Sequence, residues 1–276
     1  MPQHQGQPRG PARLNTSVAN MARVYNALVG GKDNFEVDRE VVRRVTEVTP
    51  GMRQTAVEHR AWLNRVVHFL TELRGVQQFL DCGSGLPSGE PPHETAQRRN
   101  GEAHVVYVDN DPVVEAHSKV LLEDDERTRF VNADLTRPRE VLDHPQVRRH
   151  LDFREPVALI HAATLHHLHD TAQARAIMAE YVEALAPGSY VAITHMLDPN
   201  DGTEVDDLCR DLREKLADNP DNVRHRTYGE LAQLLEGTEL VPPGWSYLHE
   251  WWPAGPRLQP VPESNFAIVG ALARKP

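Results

Sequence analysis

The 276-residue chain carries 40 acidic against 30 basic side chains, a formal charge of −10, which argues against nucleic acid as the default partner. Apolar residues at 39% and charged residues at 25% suit a globule built on one large domain. Cys82 and Cys209 lie too far apart in sequence to suggest a disulfide framework, no apolar stretch approaches the ~18 residues of a membrane span, and no signal peptide precedes the first helix, so the expected location is the cytoplasm.

Residues 1–14 are rich in Pro, Gly and Gln without periodicity and read as a disordered tail. Asn15, Thr16 and Ser17 can each N-cap a helix on which Val18, Met21, Ala22, Tyr25, Leu28 and Val29 recur at helical spacing. Gly30-Gly31 stops that helix, and a polar loop, 30–35, leads to helices over about 37–48 and 53–73 divided by Pro50-Gly51. Residues 15–75 thus form an N-terminal helical extension ahead of a domain spanning 76–276. In that domain the spacing predicts strands at 77–80, 103–109, 128–132, 157–162 and 189–195, alternating with helices near 93–99, 113–122, 138–151 (interrupted at Pro145) and 170–185. Asp170 with Gln173 and Thr227 with Glu230 are capping signals. Helices at 204–217 and 227–235 come next. Two last strands, 239–241 and 265–273, have no helix between them and are joined by a Pro/Trp-rich loop holding Trp245, Tyr247, Trp251 and Trp252, which reads as the wall of a ligand pocket or as a satellite core. Alternating strands and helices predict an α/β fold with a doubly wound, mostly parallel sheet.

The first strand ends in Asp81 and is followed at once by Gly83 and Gly85; the second ends in Asp109. A glycine turn with an acid about 20 residues on is the arrangement that binds a nucleotide, the acid holding ribose hydroxyls. A dinucleotide turn wants a third glycine where this chain has Ser88, and Asp81 would repel a pyrophosphate. Asp81 suits an ammonium instead. S-adenosylmethionine carries an ammonium, a sulfonium, a ribose and an adenine, matching Asp81 with Gly83 and Gly85, then Asp109 with Asn110, then Asp134-Leu135 after the third strand. Cys82, inside the turn, reads as a small buried hydrophobe.

These stretches, together with 22–35 (ARVYNALVGGKDNF), 78–87 (QFLDCGSGLP), 106–112 (VYVDNDP), 144–147 (HPQV), 151–153 (LDF) and 186–190 (APGSY), resemble the class I S-adenosylmethionine-dependent methyltransferases, and more narrowly an actinomycete-type S-adenosyl methyltransferase family. The resemblance runs from about residue 15 to the C-terminus and implies a Rossmann-like seven-stranded sheet with an antiparallel ending. It also implies that the 30–35 loop covers the cofactor, with Tyr25, Gly31, Lys32 and Asn34 as contacts.

A methyl acceptor would lie past the fourth and fifth strands. His166 and His195 stand there as candidate general bases, because an imidazole takes a proton near neutral pH; the competing reading is a helix cap or a bond to a backbone carbonyl. His166, His167 and His169 lack the spacing and companions of a zinc site, so no metal is expected. The leading reading is a methyltransferase acting on a small molecule. A cofactor-binding module without acceptor chemistry and a nicotinamide-dependent reductase are the alternatives, the latter disfavoured by Ser88 and by the final strand pair.

Overall fold

The computed structural model describes residues 16–276 apart from 88, 123–124, 216–222, 254 and 257–259. The expected tail and the last two residues of the helix expected over 204–217 lie outside the described residues. Three helices open the chain, α1 (Met21–Leu28), α2 (Glu36–Val48) and α3 (Met52–His68). Asn20, rather than residues 15–17, caps α1: its side chain accepts from the Arg23 N–H at 3.2 Å. The helix expected over 53–73 continues beyond α3 as a wider π turn, Phe69–Leu73.

The sheet follows, with β1 (Gln78–Cys82), α4 (Pro92–Arg99), β2 (His104–Asp109), α5 (Pro112–Leu121), β3 (Thr128–Asn132), α6 (Pro138–Leu142), α7 (Pro145–His150) and β4 (Ala158–Ala162). The C-terminal part adds α8 (Thr171–Ala184), β5 (Tyr190–Met196), α9 (Glu204–Lys215), α10 (Tyr228–Gln233), β6 (Glu239–Leu240), β7 (Ser246–Tyr247) and β8 (Ile268–Arg274). Pro145 does divide α6 from α7, and Thr227 with Glu230 forms the expected capping box on α10.

The strand order is β3-β2-β1-β4-β5-β8-β6, with β7 also paired to β8. β1 to β5 are parallel, and β8 runs antiparallel to β5. The sheet has eight strands among the described residues where seven were expected, because its edge strand is split. Glu239–Leu240 pairs with Arg274 and Ala273, and Ser246–Tyr247 with Gly270 and Val269; Pro242 and Pro243, which cannot donate to a ladder, lie between. β8 starts at Ile268, after a 3-10 turn over Glu263–Ala267, and not at 265. β1 also differs from expectation. It runs on through Asp81 and Cys82, in register with Tyr107 and Val108 of β2.

Each strand sends alternate side chains into two core layers. Leu80, Cys82, Val106, Leu159 and Ile193 pack with Ile177, Met178 and Tyr181 of α8. Phe79, Val105, Ile160, Ala192 and Leu272 pack with Trp62, Leu63 and Val66 of α3. The α3 layer also takes the late aromatic loop: Trp251 is fully buried and meets Trp62 and Phe69 edge-on. Arg65 clamps that loop by donating to the carbonyls of Trp251 (2.9 Å) and Leu248 (2.6 Å). Trp251 is therefore core, while Trp245 and Tyr247 are half-buried against the α8 layer. Among the described residues no helix is long and apolar enough to cross a membrane.

Candidate active site

The strand order reverses between β1 and β4, and the crevice at the carboxyl ends there is where an open α/β sheet holds a ligand. Gly83 (φ 82°) and Gly85 (φ 63°) take left-handed backbone to turn the chain over the end of β2. The amides of Gly83 and Ser84 donate to the Val108 carbonyl at 2.7 and 3.2 Å. The Gly85 amide donates to one oxygen of Asp109 at 2.9 Å, while the other accepts from the Asp111 amide at 3.0 Å. Asp109 thus ties the turn to the start of α5. A Cβ on Gly83 would lie 2.3 Å from Cγ2 of Thr164 and 3.1 Å from Cδ2 of Leu135, so the segments after β3 and β4 both close on this glycine. At Gly85 a Cβ would meet nothing within 4 Å.

Asp81 is buried, and burial pushes its carboxyl up to about 7, against the pull of the Arg60 guanidinium and with help from repulsion by Asp109. Burial also raises Asp109, opposed by the amides of Asp111 and Gly85. Two carboxylates and a guanidinium from α3 therefore share the ends of β1 and β2. Asn110 is exposed beside them. After β3, one oxygen of Asp134 accepts from the amide (2.9 Å) and hydroxyl (2.7 Å) of Thr136, and the other lies 3.8 Å from Arg137 Nε. The Leu135 carbonyl accepts from the Tyr181 hydroxyl at 3.0 Å, holding its side chain by the turn.

The N-terminal helices reach the same end. The Asn20 side chain donates through Nδ2 to Asp111, the N-cap of α5, and Ala22 packs against the group formed by Leu86, Val113 and Val114. Of the four residues expected to contact the cofactor, Tyr25, on α1, enters the crevice wall, its hydroxyl 2.8 Å from Nδ1 of His59 and donating to the Ala56 carbonyl at 3.2 Å. Asn34 spends its polar atoms inside the loop. Its Nδ2 donates to Asn26 Oδ1 and the Gly31 carbonyl, both at 2.9 Å, and its Oδ1 accepts from Arg39 at 3.0 Å. Gly31 lies so close to Asn26 that a Cβ would fall within 2.3 Å of its amide. Gly31 and Asn34 thus build the loop, and exposed Lys32 lines a cavity of about 280 Å³ between that loop and α5.

At the ends of β4 and β5, Ala163 has φ 57°, a strained value for a residue with a Cβ. The Thr194 hydroxyl holds it, accepting from the Ala163 amide at 2.8 Å and lying 2.8 Å from Nε2 of His59. Tyr25, His59, Thr194 and Ala163 form one chain of bonds from α1 to the tip of β4, buried at His59 and Thr194 and half-buried at its two ends. Replacing Thr194 by Val orphans the amide and the imidazole together, an expected cost of about 1–3 kcal/mol in denaturant unfolding, which Thr194→Ser restores.

The two candidate histidines differ. His166 sits in the 3-10 turn Leu165–His167, buried, with Nδ1 free of any hydrogen bond among the described residues. Burial first, then neighbouring His167 and His195, keeps it neutral by holding its pKa well below the usual value. His195 has both nitrogens occupied: Nδ1 donates to the Met196 carbonyl at 2.8 Å, and Nε2 accepts from Arg226 at 2.6 Å. Arg226 is itself fully buried and donates to the Leu165 (3.0 Å) and Leu168 (2.6 Å) carbonyls. His195 therefore has no lone pair left for a proton and acts by holding Arg226 and, through it, the turn that carries His166. Sequence reasoning missed His59, Arg60, Thr194 and Arg226; the one available signal was a histidine on the apolar face of α3.

Comparison with known proteins agrees with this architecture. None of the curated proteins matches the sequence significantly. The crystal structure of a candidate methyltransferase from Thermobifida fusca YX superimposes with a TM-score of 0.85 at 38% identity, over 94% of this chain and 95% of that one. A DUF574 family protein from Streptomyces avermitilis MA-4680 gives a TM-score of 0.86 at 36% identity, over 95% and 99% of the two chains. The model of the family described as S-adenosyl methyltransferase matches residues 7–276, and the chain belongs to that family.

Proposed function

We propose that the chain transfers the methyl group of S-adenosylmethionine to a small-molecule acceptor in the cytoplasm. The observation that carries this reading is the pair of carboxylates, Asp81 and Asp109, set on one glycine turn with open space over Gly85. Burial raises the Asp81 carboxyl to about 7 despite the nearby Arg60 guanidinium, so a further cation such as the cofactor's ammonium would favour its ionised form. Asp81 takes that ammonium and Arg60 the neighbouring carboxylate, with Gly83 and Gly85 letting the backbone approach. Asp109 and Asn110 hold the ribose hydroxyls, Asp134 and Leu135 border the adenine, and Tyr25 covers the crevice, with Lys32 at its rim; Gly31 and Asn34 shape the covering loop. The cofactor supplies an electrophilic methyl on a sulfonium that leaves as a thioether. His166, whose Nδ1 has no hydrogen-bond partner among the described residues, is the group assigned to take the acceptor's proton, although its lowered pKa makes it a weaker base than a free imidazole.

The test is calorimetric titration with S-adenosylmethionine, S-adenosylhomocysteine and NADH at pH 6 and pH 8. Micromolar binding of the first two and none of the third is expected. Affinity is expected to rise with pH, since a protonated Asp81 cannot receive an ammonium, and Asp81→Asn is expected to weaken binding and remove that dependence. In the free protein the sign is opposite. Because Asp81 is raised above its unfolded value, it holds more proton folded than unfolded between about pH 4 and 7, so its contribution to stability falls as pH rises through that window. Failure of both sulfur ligands to bind folded protein would overturn the proposal. Binding without turnover of any acceptor would favour the non-catalytic module.

A further inference from the structure

A cleft of about 1060 Å³ opens at the opposite end of the sheet. Its wall is made where the parallel strands begin, from Gln78 of β1, His104 of β2 and Tyr190 of β5, from the segment leading into β4, and from Arg274 at the end of antiparallel β8. A five-residue strand such as β1 puts it about 15 Å from the glycine turn.

Five arginines face three acids on this wall, in a chain whose formal charge is −10. The acids are mostly spent. Asp152 is held by Arg154 through two bonds of 2.9 and 2.7 Å, and Glu102 by Arg127 at 2.9 Å; Glu155 alone has no ion-pair partner among the described residues. Arg148 pairs with Asp143 at 2.8 Å. Arg74, Arg149 and Arg274 have no carboxylate partner among the described residues, and Arg74 stands over the Phe69 ring. Two further polar groups lie in the wall. Tyr190 is 6% exposed with no hydrogen bond for its phenol among the described residues, and Nδ1 of His104 is buried without a partner. The wall is fixed, because the Gln78 amide bonds the Asp152 backbone through both its ends, at 2.6 and 3.1 Å.

We propose that this cleft is a second ligand site, separate from the methyl-transfer crevice, that takes a phosphorylated small molecule of nucleotide size. Unpaired guanidinium forks match phosphate oxygens in geometry and charge. The rings of His104 and His150, 6.4 Å apart, supply flat surface for a base, beside a Phe153 ring that carries the Arg148 guanidinium 5.4 Å from its centre. The volume is that of a nucleotide-sized site. A long polyanion is disfavoured by the chain's formal charge of −10.

Calorimetry on the intact chain with ATP and with inorganic pyrophosphate tests this. ATP is expected to bind more tightly than pyrophosphate, to weaken with added salt, and not to be displaced by S-adenosylhomocysteine. Arg149→Ala with Arg274→Ala is expected to cut ATP affinity at least tenfold without moving the thermal transition, since both side chains are exposed. No ATP binding to folded protein, equal ATP affinity in the double variant, or displacement by S-adenosylhomocysteine would each overturn the site. Pyrophosphate bound as tightly as ATP would overturn its assignment to a nucleotide.

Discussion

Gly83→Ala is expected to lower S-adenosylhomocysteine affinity at least a hundredfold. Two costs add at that position. A left-handed φ of 82° disfavours any residue with a Cβ by about 1–2 kcal/mol. The new methyl would also sit 2.3 Å from Thr164 Cγ2, driving apart the segments after β1 and β4 and pushing on Leu135. Gly85→Ala separates the two effects, because its Cβ enters open space. It is expected to weaken the ligand while shifting the melting temperature less than Gly83→Ala does. Adding Thr164→Ala to Gly83→Ala is expected to recover part of the stability by removing the clash. Unaltered affinity in Gly83→Ala, measured by calorimetry, would take the turn out of the site.

The largest stability effect is expected at Asp38. Its carboxylate is fully buried and accepts from Arg23 Nε at 2.9 Å, the Asn20 amide at 3.0 Å and the Phe35 amide at 2.8 Å. Asp38→Ala removes the carboxylate paired with the buried Arg23 guanidinium, and breaking a buried pair in this way typically costs about 3–5 kcal/mol. The loss is expected to be local. α1 and α2 share their own small core of Val24, Ala27 and Val42, apart from the two sheet layers. Hydrogen exchange is therefore expected to show lost protection over residues 20–48 with β1, β4 and β5 unchanged, and ligand affinity is expected to fall with Tyr25 released. Uniform loss of protection would instead make α1 and α2 part of the global folding unit.

Much of this architecture was legible because buried parallel strands are near-continuous apolar runs; β4, expected over 157–162, runs from Ala158 to Ala162. β1 was read too short because Asp81 looks like a strand end, yet its side chain is buried in the α3 layer and its backbone stays in the ladder. Gly83, Gly85 and Asp109 were legible for a local reason: a tight turn needs positive φ, and an acid after the next strand can receive its amides. His59 was not, because it meets Thr194 across 135 residues of chain. Arg226 was hidden for the same reason, meeting Leu165 across 61 residues and His195 across 31. Pattern placed His195 and Asn34 near the crevice but could not reveal that Arg226, Asn26 and Arg39 already occupy their polar atoms.

The split edge strand bears on how copies of this chain meet. An open sheet ends in a row of unpaired amides and carbonyls that invites another strand, and long flat edges drive edge-to-edge aggregation. Here the outer border offers only two dipeptides, Glu239–Leu240 and Ser246–Tyr247, with two prolines between them. Neither piece is long enough to template an incoming β-segment, and the prolines interrupt the row where it would continue. The sheet is thereby capped on that side by its own chain, and self-association through continuous β-pairing is blocked there.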